Sequence, residues 1–149
     1  MKIIIDTNII FSSLLNTNNS IGDLLLNSKK KIEFYSCDYM RYEIQKHWKK
    51  LKSISKLSDE QLSDSRDRLF ARIHFINESL IPAQTWSKAK NYTFDIDIDD
   101  TDFVALTIHL KGHLWTGDKE LYNGLKEKGF TKIFNTEDLK LYRSQRSSF

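Results

Sequence analysis

The sequence predicts an α/β protein with a central, mainly parallel sheet. Ile3-Ile4-Ile5 is a run of β-branched residues, as expected for a strand that is buried on both faces. Further strand-like segments alternate with helical patterns along the chain, which favours parallel strands joined by helices. The 149 residues are 40% hydrophobic and 29% charged, a composition typical of one globular domain. We therefore expect a single domain over residues 1–149.

The first half of the chain predicts two strands and three helices. The apolar segment 1–11 is interpreted as a buried first strand, residues 21–28 as a short helix and residues 32–36 as a second strand. Residues 38–51 predict one helix. Ser58 and Gln61 form a capping box for the next helix. The stripe expected on the helix over 38–51 is Met40, Ile44, His47 and Leu51, and that on the helix after Ser58 is Leu62, Leu69, Phe70, Ile73 and Ile76.

The second half continues the alternation. Residues 79–81 are interpreted as a short strand that Pro82 stops, and residues 85–91 as a helix. Residues 101–111 predict a helix with Gly112 just past its end, followed by a strand over 113–116. A helix over 118–128, a strand over 132–134 and a final helix capped by Thr136 complete the order. The polar tail after Tyr142 is expected to fray.

The charge and cysteine content limit the class of protein. The net charge of +3 permits a nucleic-acid partner without requiring one. Lysines cluster at 29–31 and 46–52, and such runs are usually solvated faces unless they flank a cleft. Cys37 has no partner for a disulfide, which suits a reducing compartment. The first segment carries Asp6 and Asn8, so it is a poor signal peptide, and we expect a cytoplasmic protein without a membrane segment.

Acidic residues follow two of the predicted strands and begin or border two helices. Asp6 follows the first strand and Asp118 follows the strand over 113–116, so both belong to the carboxyl edge of the sheet, where ligands bind. Glu43 borders the apolar stripe of its helix, and the acidic cluster 97–102 opens the helix over 101–111. If these carboxylates converge, they need protons or a cation to offset their repulsion. Oxygen-only ligands favour Mg²⁺ or Mn²⁺, which supports phosphodiester hydrolysis.

Each acid also has a simpler interpretation. Asp6 or Asp118 alone could be only the N-cap of the next helix. The cluster 97–102 could serve caps and the helix dipole, and Glu43 could be solvated. Only the joint placement of the acids favours a site.

Four blocks of the sequence resemble the PIN-domain family, especially its VapC-like toxins. They are MKIIIDTN at residues 1–8, Tyr42-Glu43-Ile44, DIDDTDFVALT at residues 97–107, and WTGD at residues 115–118. The blocks run in the family's order across nearly the whole chain, whereas any one of them alone would be weak.

The resemblance implies a PIN-like fold, with helices on both faces of a sheet of about five strands, and an endoribonuclease that uses Mg²⁺ or Mn²⁺. Its metal ligands and catalytic residues would be Asp6, Glu43, Asp100 and Asp118, with Asp97 as a further acidic neighbour. Asn8 and Thr116 would hydrogen-bond the carboxylates or the attacking water, and the roles of Asp99 and Asp102 stay open. The implied partners are RNA, a small antitoxin protein and a second copy of the chain.

Two other functions remain open at this point. An aspartate-nucleophile phosphatase shares Asp6 and the parallel sheet, but it usually has a second Asp where this chain has Asn8. A PIN-like module could also bind RNA or protein without cutting.

Trp48 is the best candidate for a nucleic-acid contact, because Lys46, Lys49 and Lys50 surround it. Trp115 is expected in the core. Arg66, Arg68 and Arg72 could line a phosphate path, although solvent exposure is the simpler account. Cys37 has no basic neighbour and is not proposed as a nucleophile.

Overall fold

The structure, a computed structural model, describes residues 1–15, 20–28 and 31–147. Its strands form one sheet in the order β3-β2-β1-β4-β5, and every pairing is parallel. The strands are β1 (Lys2–Ile5), β2 (Glu33–Cys37), β3 (Ile73–Ile76), β4 (His113–Trp115) and β5 (Ile133–Phe134). The predicted α/β class with a five-stranded sheet is therefore confirmed.

The connections between the strands are helical. Over the described ranges the helices are α1 (Thr7–Leu15), α2 (Ser20–Asn27), α3 (Tyr39–Lys46), α4 (Trp48–Ser55), α5 (Asp59–Phe70), α6 (Ala83–Thr93), α7 (Thr101–Leu110), α8 (Lys119–Glu127) and α9 (Thr136–Ser147). None of these helices has the length and apolar character needed to cross a bilayer.

Helices cover both faces of the sheet. Ile3, Ile4 and Ile5 are each 0% exposed. Because successive side chains of a strand point to opposite faces, both faces at β1 must be covered. Helix α7 packs against β1, β2 and β4, while α1 packs with α2, α3, α4 and α5. Trp115 is fully buried in β4, as expected for a core residue.

The first strand is shorter than the sequence indicates. The interpretation of residues 1–11 as a strand is wrong beyond Ile5, because α1 begins at Thr7. The amide of Ile9 donates to the carbonyl of Asp6 at 3.1 Å, which closes the first helical turn. Ile9 and Ile10 are buried on this helix. A short apolar run fits a buried strand or a buried helix equally well, so the pattern could not separate them.

The expected helix over 38–51 is two helices, α3 and α4, that meet at His47. His47 has φ −100° and ψ 15°, outside the helical region. Met40, Ile44 and Leu51 are buried as predicted, whereas His47 is exposed, and its ring lies nearly perpendicular to that of Phe11. The assignment of His47 to the buried stripe was therefore wrong.

Two assignments between residues 70 and 82 are also wrong. Ile73 and Ile76 lie in β3 and not on α5, because the helix ends at Phe70 and the chain turns into the sheet. Their spacing from Leu69 fits a helix, and only pairing with β2 distinguishes the strand. Residues 79–81 form no strand. Glu78–Leu80 is one turn of 3-10 helix, in which Asn77 Oδ1 accepts from the amide of Ser79.

The capping box before α5 is confirmed. Ser58 Oγ accepts from the amide of Gln61 at 3.1 Å, and Gln61 Oε1 accepts from the amide of Ser58 at 3.0 Å. The helices predicted over 21–28, 85–91, 101–111 and 118–128 are present with shifted ends.

The C-terminal helix differs from prediction at both ends. Asn135, rather than Thr136, caps α9, since its side chain accepts from the amide of Asp138 at 2.8 Å. The helix continues to Ser147, so the chain does not fray directly after Tyr142. Arg143 forms an ion pair with Asp23 of α2 at 2.8 Å, which ties this end to the domain. Residues 148 and 149, and Lys29 and Lys30 of the first lysine cluster, lie outside the described residues.

Candidate active site

The candidate site lies where the strand order reverses. The chain winds outward from β1 to β2 and β3, and then returns to the other side of β1 to form β4 and β5. The crevice at the carboxyl ends of β1 and β4 is therefore the topological switch point, the usual ligand-binding place in an open parallel sheet. Asp6 directly follows β1, and its amide donates to the carbonyl of Trp115 at 3.1 Å. Asp118 follows β4 after two residues.

Thr116 links these two acids. Its hydroxyl donates to Asp6 Oδ2 at 2.8 Å and accepts from the amide of Asp118 at 3.1 Å. Thr116 is 1% exposed and Asp6 is 5% exposed, so the contact is shielded from water. The hydroxyl therefore orients the Asp6 carboxylate and holds the start of the next segment beside it.

Asn8 acts on the backbone of the site through its side chain. Its Oδ1 accepts from the amide of Gly117 at 3.2 Å. The backbone amide of Asn8 lies 3.4 Å from Asp6 Oδ1, a long hydrogen bond. The amide side chain thus fixes the loop between Thr116 and Asp118 against the start of α1.

Glu43 reaches the same region from α3. Thr7, one residue after Asp6, donates its hydroxyl to Glu43 Oε1 at 2.6 Å. Burial raises the pKa of Glu43, the Thr7 hydrogen bond opposes this, and the negative charge of Asp99 adds to it. Sequence reasoning did not assign a role to Thr7. Its partner is 36 residues away along the chain, so the sequence carries no signal of this contact except the adjacency of Thr7 to Asp6.

Asp100 is placed at the N-terminus of α7. Asp97 caps the preceding 3-10 turn by accepting from the amide of Asp99 at 3.0 Å. Asp100 precedes Thr101, the first residue of α7, but its side chain makes no capping hydrogen bond within the described chain. The simple interpretation of this acid as a helix cap therefore does not hold. By contrast, Asp118 does cap α8, because its Oδ1 accepts from the amides of Glu120 and Leu121.

Neighbouring acids influence the pKa values of Asp6 and Asp100. Burial raises the pKa of Asp100 to about 8, and the charges of Asp6, Asp97, Asp118 and Glu43 contribute to the rise. Burial also raises the pKa of Asp6 to about 6, against its hydrogen bonds from Thr116 and Asn8, and Glu43 and Asp118 add to the rise. The hydrogen bonds from Thr116 to Asp6 and from Thr7 to Glu43 place these segments beside each other, and the charge interactions of Asp100 indicate that its segment faces the same region.

Two further acids border this group. Burial raises the pKa of Asp102 to about 6, and the charges of Glu78 and Glu43 add to the rise. Glu78 accepts from the amide of Tyr39 at 3.0 Å and so caps α3 from a distant segment. The sequence analysis left the role of Asp102 open within the acidic cluster, and it did not identify Glu78, which lies in no motif. Asp97 and Asp99 are exposed at the rim.

The donor chemistry of the group fits a hard divalent cation. The side chains of Asp6, Glu43, Asp100 and Asp118 offer only carboxylate oxygens, the ligands that Mg²⁺ and Mn²⁺ prefer. Burial is the main cause of the raised pKa values of Asp6, Glu43 and Asp100, and neighbouring acids add to each rise. Within residues 1–15, 20–28 and 31–147, no three or more His, Cys, Asp or Glu side chains are already arranged to hold a metal ion.

The predicted nucleic-acid contact at Trp48 has intramolecular partners. Its indole N–H donates to Asp59 at 3.2 Å, and the Arg66 guanidinium lies 4.9 Å from the ring centroid. Lys46, Lys49 and Lys50 are exposed. The charge of Lys46 acts on Glu43, so this lysine is near the acids. Contact of Trp48 and these lysines with nucleic acid stays a prediction.

The other basic and thiol side chains have structural surroundings. Arg72 donates to the carbonyls of Leu25 and Ser28, at 3.2 Å and 3.0 Å, so it ties β3 to α2 and does not line the crevice by these contacts. Cys37 is fully buried, and burial raises the pKa of its thiol well above the ordinary value. A buried, protonated thiol is inert as a nucleophile.

Comparisons with known proteins agree with this fold. A family model described as PIN domain matches residues 4–143. One similar solved structure is the crystal structure of VapBC2 from Rickettsia felis bound to a DNA fragment from their promoter. It is 19% identical with a TM-score of 0.62, and the match covers 91% of this chain and 98% of that chain. A comparison with curated proteins gave no match.

Proposed function

Because the chain belongs to the PIN-domain family, we propose that it is a metal-dependent endoribonuclease that hydrolyses RNA phosphodiester bonds. The observation that carries the proposal is the placement of Asp6 and Asp118 after β1 and β4 at the switch point of the sheet, with Glu43 tied to Thr7 beside them. Burial and the charges of these acids raise the pKa of Asp100, which supports its place in the same group. These four residues would hold Mg²⁺ or Mn²⁺. When bound, such an ion neutralises phosphate charge and makes water a better nucleophile at neutral pH.

The chain's own residues prepare the site for this chemistry. Thr116 and Thr7 orient the carboxylates of Asp6 and Glu43 by direct hydrogen bonds. Asn8 holds the loop that carries Asp118. In the hydrolysis, the oxygen of water forms a bond to phosphorus, the bond from phosphorus to the 3′ oxygen breaks, and that oxygen takes a proton. The products carry a 5′-phosphate and a 3′-hydroxyl.

The alternatives are less well supported. Asn8 stands where an aspartate-nucleophile phosphatase usually has its second Asp, and its side chain is engaged by the amide of Gly117. A binding module that does not cut RNA has no need for four acids whose repulsion must be offset.

The test is cleavage of a pool of small single-stranded RNAs during a titration with Mg²⁺ or Mn²⁺. We expect activity to rise with the ion and to be lost in excess EDTA. Asp100→Asn should lower kcat by at least about a hundredfold, the scale of losing one electrostatic group of an active site. Asp64→Asn, which removes an exposed charge from α5, is the matched control and should keep full activity. Equal cleavage in EDTA, or full activity of Asp100→Asn, would refute the proposal.

We further propose that the chain is the toxin of a toxin–antitoxin pair. The support is family membership together with the fold similarity to a VapBC2 structure. In this role the chain acts in the cytoplasm, binds a small antitoxin and forms a homodimer. We expect a short neighbouring gene that encodes a DNA-binding protein. We also expect that protein to copurify with this chain. Expression of the wild type without growth arrest, under conditions where the purified chain cleaves RNA, would contradict the toxin role.

A further inference from the structure

The exposed face of α3 carries an aromatic pair beside the acids. The rings of Tyr39 and Tyr42 stack with their centroids 5.8 Å apart and an angle of 27° between their planes. Tyr42 is 58% exposed, although large aromatic side chains usually bury most of their surface. Tyr39 packs on one side of the Tyr42 ring, and much of the remaining ring surface is open to solvent.

This pair lies on the same helix face as Glu43. Residues three and four apart on a helix are neighbours on its surface, so Tyr39, Tyr42, Glu43 and Lys46 form one stripe. At a rise of 1.5 Å per residue, Tyr39 lies roughly 6 Å along the axis from Glu43, and Lys46 lies roughly 4.5 Å on the other side. Burial raises the pKa of Tyr39, and the charges of Glu43, Asp99 and Asp102 add to the rise. Glu78 also accepts from the amide of Tyr39 at 3.0 Å, so acidic groups lie near this end of α3.

The stripe therefore presents three kinds of chemistry in order along one helix: aromatic rings, a carboxylate and a cation. A single-stranded nucleic acid offers the complementary groups, since it carries an unpaired base beside each phosphate. Aromatic side chains bind such bases by stacking, and lysines bind the backbone.

We propose that Tyr42, supported by Tyr39, is a stacking platform for an unpaired nucleobase next to the phosphate that is cut. This inference rests on the proposed nuclease function and adds to it a subsite for single-stranded RNA. Tyr42 is a binding residue in this proposal and takes no part in the bond-breaking step. Lys46 contacts the backbone phosphate on the other side of Glu43.

The test uses two probes of equal charge. One is a labelled RNA of ten adenosines, and the other is a ribose-phosphate chain of the same length without bases. Binding is measured by fluorescence anisotropy in Mn²⁺ with an Asp100→Asn background, so that hydrolysis does not consume the probe. The background protein should bind the adenosine probe more tightly. Tyr42→Ala should weaken that binding roughly tenfold, as for loss of one stacking side chain, and leave binding of the baseless chain unchanged.

Two replacements at the same position separate stacking from hydrophobic area. Tyr42→Phe keeps an aromatic face and should retain the preference for bases, whereas Tyr42→Leu should lose it. Leu141→Ala removes another exposed apolar side chain, on α9, and should have no effect on either probe.

Several outcomes would overturn the inference. The first is that Tyr42→Ala weakens binding of both probes equally, or weakens binding of neither. The second is that the background protein binds neither probe. The third is that Tyr42→Ala changes the oligomeric state of the protein without loss of base preference. The last result would assign the pair to a protein interface. If the wild type cleaves RNA but Tyr42→Ala keeps its base preference, the inference fails and the nuclease proposal stands. If base preference depends on Tyr42 and no cleavage occurs, the nuclease proposal fails instead.

Discussion

Replacing Asp100 by Asn should stabilise the metal-free protein and remove its response to divalent ions. Asp100 is partly buried, and burial together with the charges of four other acids raises its pKa to about 8 from the ordinary 3.8. At neutral pH the folded protein must therefore keep a proton on this group that the unfolded chain releases. Asn has nearly the same shape and carries no charge, so it avoids this cost.

The magnitude follows from the pKa. One pKa unit corresponds to about 1.36 kcal/mol, so a rise from 3.8 to about 8 sets an upper limit of roughly 6 kcal/mol at high pH. Asp100 is partly exposed, and solvent screens its interactions. We therefore expect a gain of about 1–2 kcal/mol in the free energy of unfolding at pH 8.

The assay is urea denaturation of the wild type and Asp100→Asn, each in EDTA and in MnCl₂. The wild type should gain stability in MnCl₂, by about 2.7 kcal/mol at a hundred times the dissociation constant, and Asp100→Asn should gain much less. Asp64→Asn removes one exposed charge and should follow the wild type. A variant that is less stable than the wild type in EDTA, or that responds fully to MnCl₂, would refute the reasoning.

Three further predictions concern pH, Thr116 and Gly112. In EDTA the free energy of unfolding should fall as pH rises from about 4 to about 8. The reason is that Asp6 and Asp100, with pKa values of about 6 and about 8 in the folded protein, bind protons more tightly there than in the unfolded chain. Thr116→Val removes the hydroxyl that donates to buried Asp6 and should cost about 1–3 kcal/mol in urea denaturation. Gly112→Ala should cost about 3 kcal/mol or more, because a Cβ would lie 2.5 Å from the carbonyl oxygen of Lys2.

Each of these predictions has a control. Saturating MnCl₂ should flatten the pH dependence, and stability that rises with pH in EDTA would contradict the assigned pKa values. Thr116→Ser keeps the hydroxyl and should stay near the wild type; equal losses for Ser and Val would point to packing instead. Gly117→Ala places a Cβ no closer than 3.7 Å to its neighbours and should fold normally, so equal damage at both glycines would be inconsistent with the proposed clash.

Local chemistry made several elements predictable. The capping box at Ser58 and Gln61 is a contact between residues three apart, so its pattern is visible in the chain. The β-branched run Ile3-Ile4-Ile5 likewise indicated a strand buried on both faces. The strand at Ile73–Ile76 was missed because its spacing also fits a helix, and only pairing with β2 makes it a strand. The break at His47 was missed for a similar reason, since the apolar spacing on each side of it is nearly continuous.

The sequence by itself determined the α/β class, most of the helices and strands and the acids that could belong to one site, because these depend on residue type and local spacing. Only the tertiary structure decided which groups meet. The contacts of Thr7 with Glu43 and of Thr116 with Asp6 join residues 36 and 110 positions apart. The raised pKa of Asp100 likewise requires burial and charges from three other segments. Such contacts arise when parallel strands place their carboxyl ends at one edge, and no local pattern along the chain encodes that meeting.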